Sequence, residues 1–396
     1  MGTVLDDVVV LDLTNSFSAA LTAAFLADFG AQVVRLDRIP KAPVTAGDAG
    51  WNCQADLIHR NKQSLALDIS TAQGRKLLLE TALRADVLLT DWSLQELQTL
   101  GLDYPGLEGP RPDLVYARVS GFGPQGPDNE LPLIDELAAA RTGMMSILPQ
   151  PGEPPVYTGA GAMHATVLLG FGIVTALVYR QLSGEGQSVD TSLFAANMYG
   201  ASLDLQAFLA IGHGDRLLNP ISRLDVSNPM SGALYPSADG RWVTLTMPDT
   251  DRWWPDLAEA LGLAVDDERF NSHDKRCEHN RVDLINTLEE GFAKQPASHW
   301  RKVFQHKQMS ADVIEQFDYP ANDPQVRDNR YIVELDHPSF GKIDSLGFPL
   351  YMSETPARLE SLAPCVGQHS QKVLQELLGY SLDQIHQFKS SGVVAL

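Results

Sequence analysis

Apolar and polar positions follow two periods along this chain. Residues 7–14, DVVVLDLT, form a β-branched apolar run, the pattern of a strand buried on both faces. Residues 18–30, SAALTAAFLADFG, change to helical spacing and stop at Gly30. AQVVRLDR (31–38) predicts the next strand. A strand, a helix and a strand in so short a span make a βαβ unit, and such units build parallel sheets. TAQGRKLLLETALRA (71–85) predicts an amphipathic helix capped by Thr71, with strands after it at 86–91 (DVLLTD) and 113–123 (DLVYARVSGFG). Two long helices are predicted at 163–182 and 190–212, joined by SGEGQSVD. Asp190 is expected to cap the second of them, and Asp135 a helix of its own.

The pattern changes further along. A polar stretch at 215–235, punctuated by Pro220 and Pro229, predicts a linker. GRWVTLTMPDTDRWWPDLAEALGL (240–263) restarts with a strand and a helix, and Trp253 and Trp254 fall in the core or rim of that smaller unit. Residues 299–329 supply its last helix, strand and exit, 330–353 is strand-rich, and the tail from 366 to 394 is two helices. Open α/β sheets take ligands at the carboxyl ends of their strands, which gathers Arg38, Asp91, Trp92 and 120–123 at one rim. No GxGxxG follows the first strand, so a dinucleotide site is not indicated.

Composition narrows the function. The formal net charge is -20, which disfavours nucleic acid and anionic membrane as partners. An anionic ligand needs a local basic patch. Cys53, Cys277 and Cys365 are widely spaced, with no CxxC, so a reducing cytoplasm is expected. The acidic start MGTVLDDVVVLDL carries no basic segment of a signal peptide. The longest apolar run, 165–179, is shorter than the roughly 20 residues of a membrane span, so it predicts a buried core helix.

Eight stretches, in order from residue 8 to about 394, carry a resemblance. They are VVVLDLT…LADFGAQVVRLDR, NKQSLALDIS, ADVLLTDW, SGFGPQGP, RQLSGEGQSVDTSL, ADGRWVTLT, DPQVRDNRYIVELDHPSFG and VGQHSQKVLQELLGYS. The chain resembles the family III CoA-transferases, whose members include formyl-CoA transferase, carnitine CoA-transferase and α-methylacyl-CoA racemase. The resemblance implies an α/β fold with a Rossmann-like large domain built from both chain ends, 1–215 and 326–396. It implies an inserted small α+β domain at 216–325, and an interlocked dimer of threaded rings. Coenzyme A or an acyl-CoA is the implied substrate or ligand, with no tightly bound cofactor and no metal.

In that family an Asp at the start of the long central helix attacks the thioester. Counting back from SGEGQ puts its position at Gly161 or Ala162; counting forward from Pro154–Pro155 puts it at His164. Val156 to Ala165 contains no acid, and Glu153 is the nearest carboxylate in the chain. His164 is either an acid/base substitute or a helix-start histidine bonded to backbone. Tyr157 and Thr158 are a polar loop or partners for a substrate carboxylate. Phe17 replaces the family's Gln, Ser70 and Thr99 replace two basic residues, and RLDVSNPMSG (223–232) replaces a glycine run. Asp135 is kept, but Ile134 stands where the racemase branch has His.

The resemblance assigns the CoA cleft to Arg38, Asn61, Lys62, Leu67, Asp68, Ile69, Ser70, Asp91, Trp92, Ser93, Gly121 and Phe122. Arg38 meets either a phosphate or surface carboxylates, and Trp92 either stacks on adenine or caps a strand edge. The implied partner is a paralogous subunit that carries the Asp. In that respect the chain is similar to the non-catalytic subunit of succinyl-CoA:(R)-benzylsuccinate CoA-transferase. The alternatives are a homodimeric transferase, racemase or lyase using a group such as His164, and a CoA-binding protein without activity.

Overall fold

The computed structural model describes residues 2–39, 51–212 and 219–396. The predicted boundary at 215/216 lies outside the described residues. The chain divides into two compact units, one from 1–145, 157–207 and 324–396, the other from 146–156 and 208–323.

The first unit is built on a sheet of β1 (Val9–Leu13), β2 (Gln32–Arg38), β3 (Gln63–Leu67), β4 (Val87–Thr90), β5 (Val115–Ser120) and β6 (Gln187–Ser192). These pair in parallel in the order β3-β2-β1-β4-β5-β6, and Val394–Ala395 adds an antiparallel edge against β3. The helices of this part are α1 (Phe17–Asp28), α2 (Cys53–His59), α3 (Ala72–Ala82), α4 (Leu94–Leu100), α5 (Tyr104–Glu108), α6 (Asp135–Thr142), α7 (Met144–Ile147), α8 (Ala160–Ser183), α9 (Leu193–Gly200) and α10 (Ser202–Ile211). Because strand side chains alternate between faces, the sheet carries two cores. Leu11, Leu36, Leu65, Leu88 and Tyr116 pack with Leu77, Leu97 and Leu107 of α3, α4 and α5. Val10, Val33, Leu89 and Ala117 pack with Ala19 and Ala23 of α1 and with Leu169 and Ile173 of α8. The alanines of α1 permit a close approach. The Thr166 hydroxyl of α8 donates to the carbonyls of Ala162 and of Ser18 in α1.

Side-chain caps set the helix starts. Ser16, Thr71 and Ser93 accept backbone N–H groups at the starts of α1, α3 and α4. The helix predicted from residue 190 starts later. Residues 187–192 pair with β5 as an edge strand, Ser192 rather than Asp190 caps α9, and a break at Ala201 separates α9 from α10.

Helix α8 also departs from its predicted form. It extends to 24 residues, and by length and composition alone it could cross a membrane, yet only 33% of its apolar window is buried. Gly161, Ala165, Leu169, Ile173 and Ala176 face the domain, while Val167, Phe171, Val174, Val178 and Leu182 form an exposed stripe. The helix is layered on an open sheet, whose irregular connections and edges hydrocarbon would not tolerate, so it is a domain helix with one uncovered face.

In the second unit β7 (Ser231–Pro236), β8 (Trp242–Thr246) and β9 (Ala311–Ile314) form an antiparallel sheet. Strand β7 occupies the end of the stretch predicted as linker. Tyr235, Trp254, Phe292 and Trp300 are the aromatic core, with Trp253 packed partly buried beside it. The strand-rich segment after 330 reduces to one hairpin, β10 (Ile332–His337) and β11 (Gly341–Leu346), which belongs to the first unit.

Candidate functional site

The sheet order reverses between β1 and β4, where ligands of open α/β folds enter at the carboxyl ends of the strands. At that point Asp91, just after β4, accepts the backbone N–H of Asn15 at 2.9 Å and of Ser16 at 2.5 Å. It thereby clips the turn after β1, which leads to Phe17, to the β4 rim. Burial raises the Asp91 carboxyl above its ordinary range, and the hydrogen bonds from Ser16 and Asn15 oppose that rise.

Trp92 turns into the core and is 4% exposed. The Arg38 guanidinium at the end of β2 lies 3.9 Å from the centre of its ring and also meets Glu96 at 2.8 Å. Of the two expectations for Arg38, the structure shows the pairing with a surface carboxylate, Glu96. Ser93 is spent as the cap of α4.

Next along the rim, Leu67 is buried at the end of β3, and Asp68 accepts the Ser70 N–H and hydroxyl at 3.0 and 2.6 Å. Ile69 and Ser70 complete that turn, and Arg75 of α3 donates to the Ser70 carbonyl at 2.8 Å. A basic side chain thus stands at the turn although Ser70 is not basic. Sequence reasoning missed it because it comes from five positions on, one helical turn away. On the β5 side, a Cβ at Gly121 would lie 2.5 Å from the Pro132 carbonyl oxygen, so only glycine fits. Phe122 packs on Phe194 with 5.7 Å between ring centres, and Arg141 lies over it.

Two residues assigned to the cleft are committed elsewhere. Lys62 has no exposed side-chain surface; it donates to Asp12 at 2.7 Å and to the Ala20 carbonyl at 2.8 Å. Burial pulls its ammonium down from the ordinary lysine range, with Asp12 opposing. Asn61 sits at the amino rim. It donates to Asp28 and to the Arg358 carbonyl, and accepts from the backbone of Glu360 and Ser361. Both residues tie β3 to α1 and the C-terminal segment, leaving no free donor for a ligand. A cavity of about 540 Å³ opens at the same amino end, lined in part by Asp28, Arg60, Tyr331 and Phe348, on the rim opposite Arg38 and Trp92.

The loop before α8 ends at Gly159, whose φ of 69° is left-handed, and the first helical turn carries no acid. Gly161 is buried, Ala162 is half-buried, and Met163 and His164 are exposed. The ring of His164 packs over Gly200 of α9, so close that a Cβ there would lie 2.7 Å from it. Thr158 is exposed, and Glu153 belongs to the second unit.

A carboxylate does reach this helix start, and it comes from α6. Asp135 accepts the Tyr157 hydroxyl at 2.8 Å and the Asn197 amide at 2.8 Å. A Cβ on Gly161 would fall 2.3 Å from the Asp135 oxygen and 2.0 Å from the Asn197 nitrogen. Burial first, then the bond to Asp135, push the Tyr157 hydroxyl up to about 12, so it stays a donor. Asp135 was expected as a helix cap. It heads α6 without a capping bond and instead ties the loop, α6 and α9 together. Among the described residues no group of three or more His, Cys, Asp or Glu side chains could hold a metal. The rim gathers Arg38 over the Trp92 ring and Arg75 at the Ser70 turn, and the first turn of α8 carries no acid.

Comparison with known proteins gives the same class of fold. The model of CoA-transferase family III matches residues 5–370. The cinnamoyl-CoA:phenyllactate CoA-transferase of Clostridium sporogenes is 29% identical over 96% of this chain and 94% of its own. The succinyl-CoA–D-citramalate CoA-transferase of Chloroflexus aurantiacus is 27% identical over 98% of each chain. A CAIB/BAIF family protein from Brucella suis superposes with a TM-score of 0.81 at 24% identity, covering 95% of this chain and 100% of that one, a likeness of fold.

Proposed function

The chain belongs to CoA-transferase family III, and from that premise we propose that it is the non-nucleophilic subunit of an enzyme that moves CoA between carboxylic acids. The observation that carries this reading is the start of α8, AGAMH, which has no acid in its first turn. Transfer through an acyl-enzyme needs an oxygen nucleophile that can attack the thioester carbonyl and expel CoA thiolate. Of the positions the resemblance offers for it, Gly161 and Ala162 carry no such atom, and His164 carries an imidazole rather than a carboxylate. The nucleophile then comes from a paralogous chain that carries the Asp, the arrangement noted above for succinyl-CoA:(R)-benzylsuccinate CoA-transferase. Relatives named for transfer to phenyllactate and to D-citramalate support the acid-to-acid class of reaction.

Such a partner has a surface to cover. Val167, Phe171, Val174, Val178 and Leu182 recur at helical spacing along α8, and Tyr199 and Leu203 lie exposed beyond it. An interlocked pair would bury this stripe, which is costly to leave in water. The rim of Arg38, Trp92, Glu96 and Arg75 is the part of the CoA cleft this chain contributes. A cytoplasmic setting accords with three free cysteines.

The test is reconstitution. This chain, purified alone, is assayed for CoA transfer from succinyl-CoA and cinnamoyl-CoA to a panel of 2-hydroxy and dicarboxylic acids, then again with its paralogue. We expect no turnover alone and turnover in the pair. Ala162→Asp should give the lone chain measurable transfer, because the position is half-buried at a helix start, where a carboxylate is favoured. A second reading, a self-sufficient homodimer, is favoured by one observation, the Asp135 carboxylate against the first turn of α8. It requires that the lone wild-type chain turn over and that Asp135→Asn abolish the activity.

A further inference from the structure

We propose that Arg118 is an anion-binding residue of this chain and takes a phosphate group of CoA at the carboxyl rim of the sheet. The proposal rests on the reading that the cleft accepts a CoA thioester. Arg118 lies in β5, in register with Thr90 of β4 on one side and Asp190 of β6 on the other. It is 5% exposed, and its Nε is buried with no hydrogen-bond partner among the described residues. Among the described residues its terminal nitrogens make no hydrogen bond either. Asp190 stands opposite in register, yet the two form no ion pair.

A buried guanidinium nitrogen with no acceptor is costly, because the Nε–H has been taken from water without replacement. The folds that keep one use it for a ligand or a partner. The indole N–H of Trp92, two residues past Thr90, is also buried and unpartnered. Strand alternation puts Thr90 and Arg118 on the face of the sheet where Trp92 packs, and Arg38 lies over the Trp92 ring. Two unmet donors and an exposed guanidinium thus lie toward one end of the strands, with Glu96 the acid that meets Arg38 and Asp190 the acid beside Arg118. The positions where the family resemblance implies basic residues, Ser70 and Thr99, are neutral here. Arg118 supplies a positive charge from the sheet itself.

The experiment is calorimetric titration of the protein in its native assembly with CoA, 3′-dephospho-CoA and pantetheine. Arg118→Met keeps the length and apolar volume of the stem. It should weaken CoA binding by about 10- to 100-fold, the loss of one charge-assisted hydrogen-bonding group, and leave pantetheine binding unchanged. An equal loss with 3′-dephospho-CoA places the diphosphate on Arg118, and a loss confined to CoA places the 3′-phosphate there. Without ligand the variant should melt close to the wild type, since the buried Nε–H it removes has no hydrogen-bond partner and only the attraction to Asp190 is lost. Unchanged CoA affinity would overturn the proposal, as would an equal weakening of CoA and pantetheine, which marks a structural role. Absence of CoA binding by the wild type would remove the CoA reading itself, and the role of Arg118 with it.

Discussion

Gly161→Ala tests the packing that brings Asp135 to α8. The new Cβ would stand 2.0 Å from the Asn197 amide nitrogen, 2.4 Å from its carbon and 2.3 Å from the Asp135 oxygen. Neighbours must retreat by more than an ångström, and the 2.8 Å bond from Asn197 to Asp135 must stretch or break. Overpacking costs about 1–3 kcal/mol, and a hydrogen bond to a charged group about 1.5–3 kcal/mol. The gain from alanine over glycine in a helix offsets at most about 1 kcal/mol. The expected net loss is about 2–4 kcal/mol, or a melting point lower by roughly 2–5 °C in a protein of this size. Gly170→Ala is the internal control. It lies on the same helix, and its Cβ would meet nothing closer than 3.9 Å, at Thr22. That variant should be neutral or slightly stabilised. Scanning calorimetry of the two variants decides the matter: equal melting points would refute the close approach of α8 to the Asp135–Asn197 pair.

The buried interior and the sheet edge give two more expectations. Lys62→Met leaves the Asp12 carboxylate fully buried without its ammonium and should destabilise by about 3–5 kcal/mol in denaturant unfolding; a loss under about 1 kcal/mol would show the pair to be relaxed or hydrated. Burial lifts the Asp190 carboxyl from 3.8 to about 6, with Arg118 opposing, so between those values the folded chain holds more protons than the unfolded one. Stability should therefore fall as pH rises through that interval, and Asp190→Asn should remove that part of the slope in melting curves taken between pH 4 and 7. An unchanged slope would assign the dependence to other carboxylates.

The parallel core was legible because β-branched runs and alanine-rich helical spacing alternate along the first 120 residues. Thr71 was found as a cap because its chemistry is local. What escaped depended on pairing between distant segments. QSVDTS has too few apolar residues to announce a strand; it becomes one because β5 offers an edge. The exposed stripe of α8 is invisible in composition, since the same residues would serve a buried helix. The family resemblance assigns Lys62 and Asn61 to the cleft, yet their side chains turn inward to Asp12 and Asp28, and only the fold places those acids beneath them. Asp135 was seen and read as a cap, but its approach to Gly161 joins segments 26 positions apart. Arg118 gave no signal, because an arginine in a strand is ordinary until its donors are counted.

The measurement that tests the central claim most directly is the native mass of the protein purified from its own source, followed by sequencing of whatever accompanies it. The account predicts a complex with a second polypeptide of similar size whose corresponding loop carries an Asp at the position of Gly161, Ala162 or His164. A stable assembly of this 43.2 kDa chain with itself alone, active in CoA transfer, would contradict it and move the chemistry to Asp135.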